Sequence, residues 1–368
     1  MDKPKMLTVI GTMSGTSFDG IDAALLKTDG VDVTDFGGKY SITYPELFRQ
    51  NIRKLILGEY NTALLLEVEN EITIYHAQAI NKLVKENGLS KEQVDLIGFH
   101  GQTIFHDSRG CKTWQLGNPS LLAELTGIDV VADFRRRDMA GGGEGAPLVP
   151  LFHQALFKDI KKSIAVVNIG GVANITFLNQ KGDVIAFDAG PGCALIDDWI
   201  NSRTQLKYDE NGVIAASGVV NSKKLDFLMD DNYFYRKPPK SLDRNQFLNS
   251  MRKISILNTA DGAATLAHFT AKAISITSKF LPEVPEKWII SGGGRHNSYL
   301  MNILANDYKL SVQNIDELVF NGKNLNGDLI EAQAFGFLAA RSYFHLPLTL
   351  PTTTGVVQAA FGGAFYRA

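Results

Sequence analysis

Short apolar runs interrupted by clusters of Gly, Ser, Thr, Asn and Asp recur along the chain and alternate with longer stretches of helical spacing. The first run, Met6 to Ile10, leads into Gly11-Thr12-Met13-Ser14-Gly15-Thr16-Ser17-Phe18-Asp19-Gly20-Ile21-Asp22 and then into a second run, Ala23 to Leu26. Two β-type runs joined by small polar residues predict a hairpin. The pattern returns at Ile164, with an apolar run to Val167, the tip Asn168-Ile169-Gly170-Gly171-Val172-Ala173-Asn174, and a run from Ile175 to Leu178. Two similar halves are implied, each with one Gly-rich hairpin, and the cleft between them would hold a nucleotide.

Between and after these hairpins the pattern predicts helices and strands that deliver polar groups. Leu65, Val68, Ile72, Ala79 and Leu83 place a helix over Thr62–Lys85, ended by Asn87-Gly88. Val94 to Gly98 reads as a buried strand feeding Phe99-His100-Gly101-Gln102-Thr103, and open α/β sheets bind ligands at such strand ends. Asn118 as cap and Pro119 in the first turn open a helix that Gly127 closes. The strand Ile128–Ala132 delivers Asp133, Arg135, Arg136, Arg137 and Asp138. The run Gly141-Gly142-Gly143-Glu144-Gly145 reads as a hinge, a substrate loop or a plain linker, and a helix over Pro147–Phe157 follows it. Val184 to Phe187 is a strand ending in Asp188-Ala189-Gly190-Pro191-Gly192. Helical patterns cover Ser222–Met229 and Thr259–Phe280, with Pro238-Pro239-Lys240-Ser241 as a rigid polar corner between them. Trp288–Ile290 runs into Ser291-Gly292-Gly293-Gly294, a third glycine run. Gly327–Tyr343 is the last helix, with Glu331 near its start. The division expected is 1–145 and 146–345, with a tail over 346–368 that packs back on a domain surface.

Composition narrows the class. A chain of 368 residues exceeds what one core usually serves, and 45% hydrophobic residues suffice for two. A net charge of −2 gives no electrostatic reason to bind nucleic acid or an anionic membrane. Two cysteines, Cys111 and Cys193, make no disulfide framework. The apolar run behind the basic start is too short for a signal peptide, and no run reaches the ~18 residues of a membrane span. The cytoplasm is the expected location.

The chemistry follows from the 34 glycines, which gather in a few loops. Glycine lets backbone approach an anion closely, and the amides and hydroxyls of Ser14, Thr16 and Ser17 suit phosphate oxygens. An ordinary polar turn is the plainer reading of the same stretch. The histidines and cysteines show no zinc spacing, no Walker or dinucleotide fingerprint is present, and Ser14 and Ser17 lie on a hairpin rather than a nucleophile elbow. Three Gly-rich tips with carboxylates at strand ends suit phosphoryl transfer with Mg2+. From the residues alone His100 reads more readily as a satisfied strand-end histidine than as a catalytic group, Arg135–Arg137 as a solvated or ion-paired loop, and Asp188 as either a catalytic carboxylate or a turn cap.

Taken together, Gly11–Asp22, Phe99–Thr103, Gln115–Pro119, Leu125–Pro150 with its Val131-Ala132-Asp133-Phe134-Arg135-Arg136-Arg137-Asp138 core, Asn168–Asn174, Phe187–Gly192 and Ser291–Gly294 resemble the anhydro-N-acetylmuramic acid kinases. The resemblance implies the acetate and sugar kinase, actin-like ATPase superfamily, an α/β fold of two ribonuclease-H-like domains. It implies ATP-dependent opening and 6-phosphorylation of 1,6-anhydro-N-acetylmuramic acid, a step of peptidoglycan recycling, with Mg2+ as cofactor and a homodimer by family habit. By resemblance Asp188 is the base that activates water and Glu331 an assisting acid. ATP is expected at Gly15, Thr16, Ser17, Phe18, Asp19, Gly20, Ile21 and Asp22, with Asn168, Gly170, Gly171, Gly292, Gly293 and Gly294 on the other tips. His100, Gln115, Arg135 and Arg136 are expected at the sugar; no metal ligand is assigned. Cys193 and Phe18 depart from the asparagine and leucine expected there, without putting the activity in doubt. A kinase for another anhydro sugar such as levoglucosan is the nearest alternative. An ATP-driven protein-binding module is the alternative from another class, and ATP turnover that waits for sugar separates the two.

Overall fold

The computed structural model of the chain describes residues 5–15, 18–108, 110–242 and 244–368, with the backbone alone at 244, 245 and 248–250. The chain forms two compact units. One runs to Lys158 and resumes over Phe320–Ala368; the other is Asp159–Val319. The first boundary thus falls after Lys158 rather than after Gly145, and the last helix and tail belong with the N-terminal residues.

In the first unit, β1 (Leu7–Ser14), β2 (Gly20–Thr28) and β3 (Val33–Thr43) form an antiparallel meander, and β4 (Leu96–Asp107) and β6 (Val130–Ala132) continue the sheet in parallel from β1. The strand β5 (Lys112–Leu116) folds back on β4 as a hairpin. The C-terminal strand Ala364–Tyr366 pairs with β6, so the tail extends the sheet instead of only covering it. Near-continuous apolar runs in β1 and β2 fit burial on both faces. On one face lie the helices Glu46–Ile56, Thr62–Glu86 and Pro119–Thr126, with Phe48, Ile72, Leu83 and Leu122 in the core. The cap and stop of Pro119–Thr126 are as the sequence predicts, and the structure adds a cap at Asn61. Asn61 and Asn118 accept from Leu64 N and Leu121 N, and Gly127 is left-handed at φ 66°.

The helix Ile330–Tyr343 packs against β1, β2 and β4. It reaches them backbone to backbone because glycines meet there. A Cβ at Gly11 would stand 1.8 Å from Ala332 O, and one at Gly98 2.1 Å from Phe335 O. Gly11 therefore lies in a strand under a helix, not at a phosphate-facing tip.

The second unit repeats the topology: β7 (Ile164–Ile169), β8 (Val172–Leu178) and β9 (Val184–Pro191) form the meander, and β10 (Lys287–Ser291) and β11 (Val312–Asn314) run parallel outward from β7. Its core is built on the Ala-rich helix Thr259–Ser275, which packs with Trp199, Phe187 and Phe234. Both sheets share the ribonuclease-H-like order, three antiparallel strands extended by two parallel ones, as the repeated hairpin implied. Among the described residues no helix is long and apolar enough to cross a membrane.

Candidate active site

The strands of the first hairpin run further than the apolar pattern indicates, so only 15–19 remain as its tip. Thr16 and Ser17 lie outside the described residues. Beneath the tip is a buried polar cluster. Ser14 Oγ lies 2.6 Å from Gln102 Oε1 and 3.0 Å from Gly20 O, and it accepts from Tyr44 Oη at 3.1 Å. Gln102 Nε2 donates to Gly15 O at 3.3 Å. Because the Ser14 hydroxyl is spent internally, it offers nothing to a phosphate, and its role is to fix the tip. Ile21 is buried in the core, and a Cβ at Gly20 would stand 1.9 Å from Ile42 O, so both are packing residues of β2. Asp22 accepts from Ser41 Oγ at 2.6 Å, and burial raises its carboxyl above the ordinary value. At the tip itself Phe18 is left-handed at φ 58°, and the exposed Asp19 pairs with Arg49 at 2.6 Å.

His100, Arg135, Glu331 and Asp22 do come together in this unit. His100 Nδ1 faces Gly101 O at 2.8 Å, and a carbonyl can only accept, so Nδ1 carries the proton. Nε2 then accepts from Arg135 Nε at 3.1 Å and Nη2 at 3.0 Å. Burial and the guanidinium hold the imidazole well below its ordinary pKa, and it is neutral at pH 7. With both nitrogens engaged, His100 has none left for a sugar; it orients Arg135. Arg135 Nη1 also donates to Gly145 O at 2.7 Å. Phe335 lies against the His100 ring with centroids 4.4 Å apart, one helical turn from Glu331. Burial raises the Glu331 carboxyl, opposed by Arg135 and aided by Asp22.

Gln115 is turned into its own hairpin, donating to Thr113 Oγ1 at 2.8 Å and Thr103 Oγ1 at 3.2 Å. Arg136 is exposed, with Nε 3.7 Å from Asp133. The glycine run is pinned rather than hinged. The buried Asp138 accepts from Gly145 N at 2.7 Å and from the hydroxyls of Thr349 and Thr354, and Glu144 N donates to Thr354 O at 2.8 Å. A Cβ at Gly143 would collide with Asp138 Oδ2 at 2.2 Å, so this glycine makes room for the brace.

In the second unit Asp188 lies within β9, opposite Asn174, rather than at a strand end. It is 8% exposed, and its Oδ2 accepts from Leu242 N at 2.7 Å. The two remaining tips adjoin each other, since Ser291 of β10 pairs with Asn168 of β7. Gly170 and Gly171 brace the turn after β9 by accepting from Cys193 N at 2.7 Å and Gly192 N at 3.0 Å. Gly292, at φ 73°, leaves room for Asn168, whose Oδ1 would be 2.2 Å from its Cβ. Gly294 is packed on Ile169, whereas a Cβ at Gly293 would meet nothing within 4 Å. Gly293 thus presents open backbone. The neighbouring Arg295 is buried and pairs with Asp316 at 2.8 Å.

The model of one family, anhydro-N-acetylmuramic acid kinase, matches residues 7–368, which include every segment just described. The chain belongs to the anhydro-N-acetylmuramic acid kinase family. Within it, the kinase of Zymomonas mobilis is 41% identical over 98% of this chain and its own full length. That of Gluconobacter oxydans is 44% identical over 97% of this chain and 99% of its own. Component A of the Acidaminococcus fermentans (R)-2-hydroxyglutaryl-CoA dehydratase aligns with a TM-score of 0.45 at 11% identity, over 91% of this chain and 99% of that one.

For a chain of the anhydro-N-acetylmuramic acid kinase family, sequence reasoning passed over Tyr44 and Phe335, and it named Gln102 and Asp138 without giving either a role in holding these residues together. Tyr44, Gln102, Asp138 and Phe335 act from segments far apart in sequence. The one local signal was Asp138 closing the Arg135–Asp138 cluster beside a glycine run that needs an anchor.

Proposed function

We propose that the chain transfers the γ-phosphoryl group of ATP to O6 of 1,6-anhydro-N-acetylmuramic acid while water opens the internal acetal, giving N-acetylmuramic acid 6-phosphate and ADP. The observation that carries this reading is the family match through both units. In the step, water forms a bond to the anomeric carbon and yields its proton to Asp188. The bond from that carbon to O6 breaks, O6 bonds to the γ-phosphorus, and the bond to the ADP oxygen breaks. A carboxylate can take up this proton, which an amide in its place could not. What supports the role is that Asp188 is nearly enclosed and held at one oxygen by Leu242 N. Glu331 assists as a second acid, with its protonation favoured by burial.

Arg135, oriented by His100, binds the lactyl carboxylate of the sugar, for which a guanidinium fork is suited. Arg136, exposed beside it in sequence, adds positive charge, and Gln115 borders the sugar through its hairpin. The tip at Gly15, Phe18 and Asp19 and the backbone at Asn168–Gly171 and Gly292–Gly294 face the nucleotide. Mg2+ arrives with the triphosphate. Among the described residues no group of three or more His, Cys, Asp or Glu side chains is placed to hold a metal ion. A cytoplasmic homodimer acting in peptidoglycan recycling completes the proposal.

The test is a coupled ADP-release assay with 1,6-anhydro-N-acetylmuramic acid, levoglucosan or no sugar, with Mg2+ or with chelator. ADP release that requires the muramic substrate and Mg2+ supports the reading. Equal release without sugar, or preference for levoglucosan, overturns it. Asp188→Asn keeps size but cannot take a proton, so kcat is expected to fall roughly 10²–10⁴-fold with binding little changed.

A further inference from the structure

The corner Pro238–Ser241 reads in sequence as rigid and polar, and in the structure Lys240 is only 3% exposed. Its Nζ donates to Tyr233 O at 3.0 Å and lies 4.6 Å from the ring centroids of Tyr233 and Phe280 and 5.7 Å from that of Phe187. The hydrogen bonds around it close on Asp188. Tyr233 Oη donates to Asp188 O at 2.7 Å, Asp188 N donates to Lys240 O at 3.0 Å, and Leu242 N donates to Asp188 Oδ2 at 2.7 Å.

Burying an ammonium is costly. An apolar side chain would fill an aromatic box at less expense, so packing alone leaves the charge unexplained. That charge interacts electrostatically with Asp188. We propose that Lys240 is a positioning residue for Asp188. Through Tyr233 it locks the segment that holds both the backbone and one carboxylate oxygen of Asp188, and it sets a buried positive charge beside the carboxylate. The inference rests on Asp188 being the base.

Burial, with Arg236 adding to it, lowers the Lys240 ammonium to about 8, so it stays mostly charged at neutral pH. Among the described residues, the titratable groups facing this place include Lys240, Arg236 and the Tyr233 phenol. β8 sets Asn174 opposite Asp188, and Lys272, on the helix packed against β9, is paired with Asp226 at 3.0 Å.

The test compares Lys240→Met, Lys240→Arg and Asp188→Asn in the full chain, by kcat, both KM values, the pH profile of kcat and a thermal melt. Lys240→Met removes the charge and keeps most of the volume. It is expected to lower kcat about ten- to a hundredfold through misplacement of the base, with both KM values little changed. It should also move the acid limb of the profile to higher pH, because a carboxylate without its cation is protonated more easily. Lys240→Arg, which restores the charge, returns the limb toward the wild-type position. If Lys240→Met does not fold, Lys240→Gln carries the same readouts, since its amide can donate without charge. An unmoved limb in the uncharged variant overturns the proposal, even where kcat falls, because a scaffold alone would do that. If Asp188→Asn retains more than about a tenth of turnover, the base assignment fails first. If it abolishes turnover and the uncharged variants match wild type, only the Lys240 inference fails.

Discussion

Gly98→Ala tests whether glycine contact between helix and sheet sets the site of the first unit. The added Cβ would stand 2.1 Å from Phe335 O, 2.6 Å from Phe335 C and 3.0 Å from Gly336 N, where ordinary contact begins at 3.4 Å. All three obstacles are backbone, so no side chain can rotate away. The helix Ile330–Tyr343 or β4 must retreat by about 1.3 Å. Overpacking of this kind costs about 1–3 kcal/mol, and at about 2 kcal/mol the melting temperature of a unit this size falls roughly 4–8 °C. The same retreat carries Glu331 and Phe335 away from Arg135 and His100. A displacement of about 1 Å in a positioned group can lower the rate about a hundredfold. The assay is calorimetry beside steady-state kinetics, with Gly293→Ala as control because its Cβ meets nothing within 4 Å. The control should melt like wild type and raise only the KM for ATP. A Gly98→Ala protein within about a degree of the wild-type melting temperature and with kcat unchanged would refute the argument.

Three further outcomes follow from the buried groups. His76 and His153 are lowered to about 4 and about 3 by burial, and His100 is lowered too, so the fold holds them neutral. Their stabilisation is complete above the unfolded value of about 6.5 and is lost as pH falls below it; at pH 5 the loss is about 2 kcal/mol for a single such histidine. Melting temperature should therefore drop from pH 7 to 5, less steeply in His76→Phe, and an unchanged slope would count against this. Arg135→Lys cannot reproduce the two bonds to His100 or the fork; the KM for sugar should rise about tenfold or more with the KM for ATP nearly constant, and a parallel rise in both would exclude a sugar-side role. Burial raises the Cys193 thiol to about 12 while Cys111 is exposed. Iodoacetamide on the native protein, followed by peptide mass mapping, should label Cys111 alone.

Local rules were enough to read the repeated hairpins, the helix from Thr62 to its stop at Asn87-Gly88, the Asn118–Gly127 helix and the strands ending near Asp133 and Ser291, because each is specified by neighbouring residues. The same patterning carried the family resemblance, since glycine runs and the Arg135–Asp138 cluster are contiguous. What glycine was for could not be read locally. Gly11 and Gly98 have the composition of ligand-facing glycines, yet they admit a helix more than two hundred residues away, and Gly143 makes room for Asp138. The unit boundary at Lys158 was hidden for the same reason: the helix Ile330–Tyr343 and the strand Ala364–Tyr366 return to the first sheet through long-range pairing. Likewise nothing in the polar corner Pro238–Ser241 indicates that the fold surrounds its lysine with Tyr233, Phe187 and Phe280. Sequence determines which chemistry is carried and the local element beneath it. Burial and charge at His100, Asp188 and Lys240 depend on residues distant in the chain, and tertiary packing decides them.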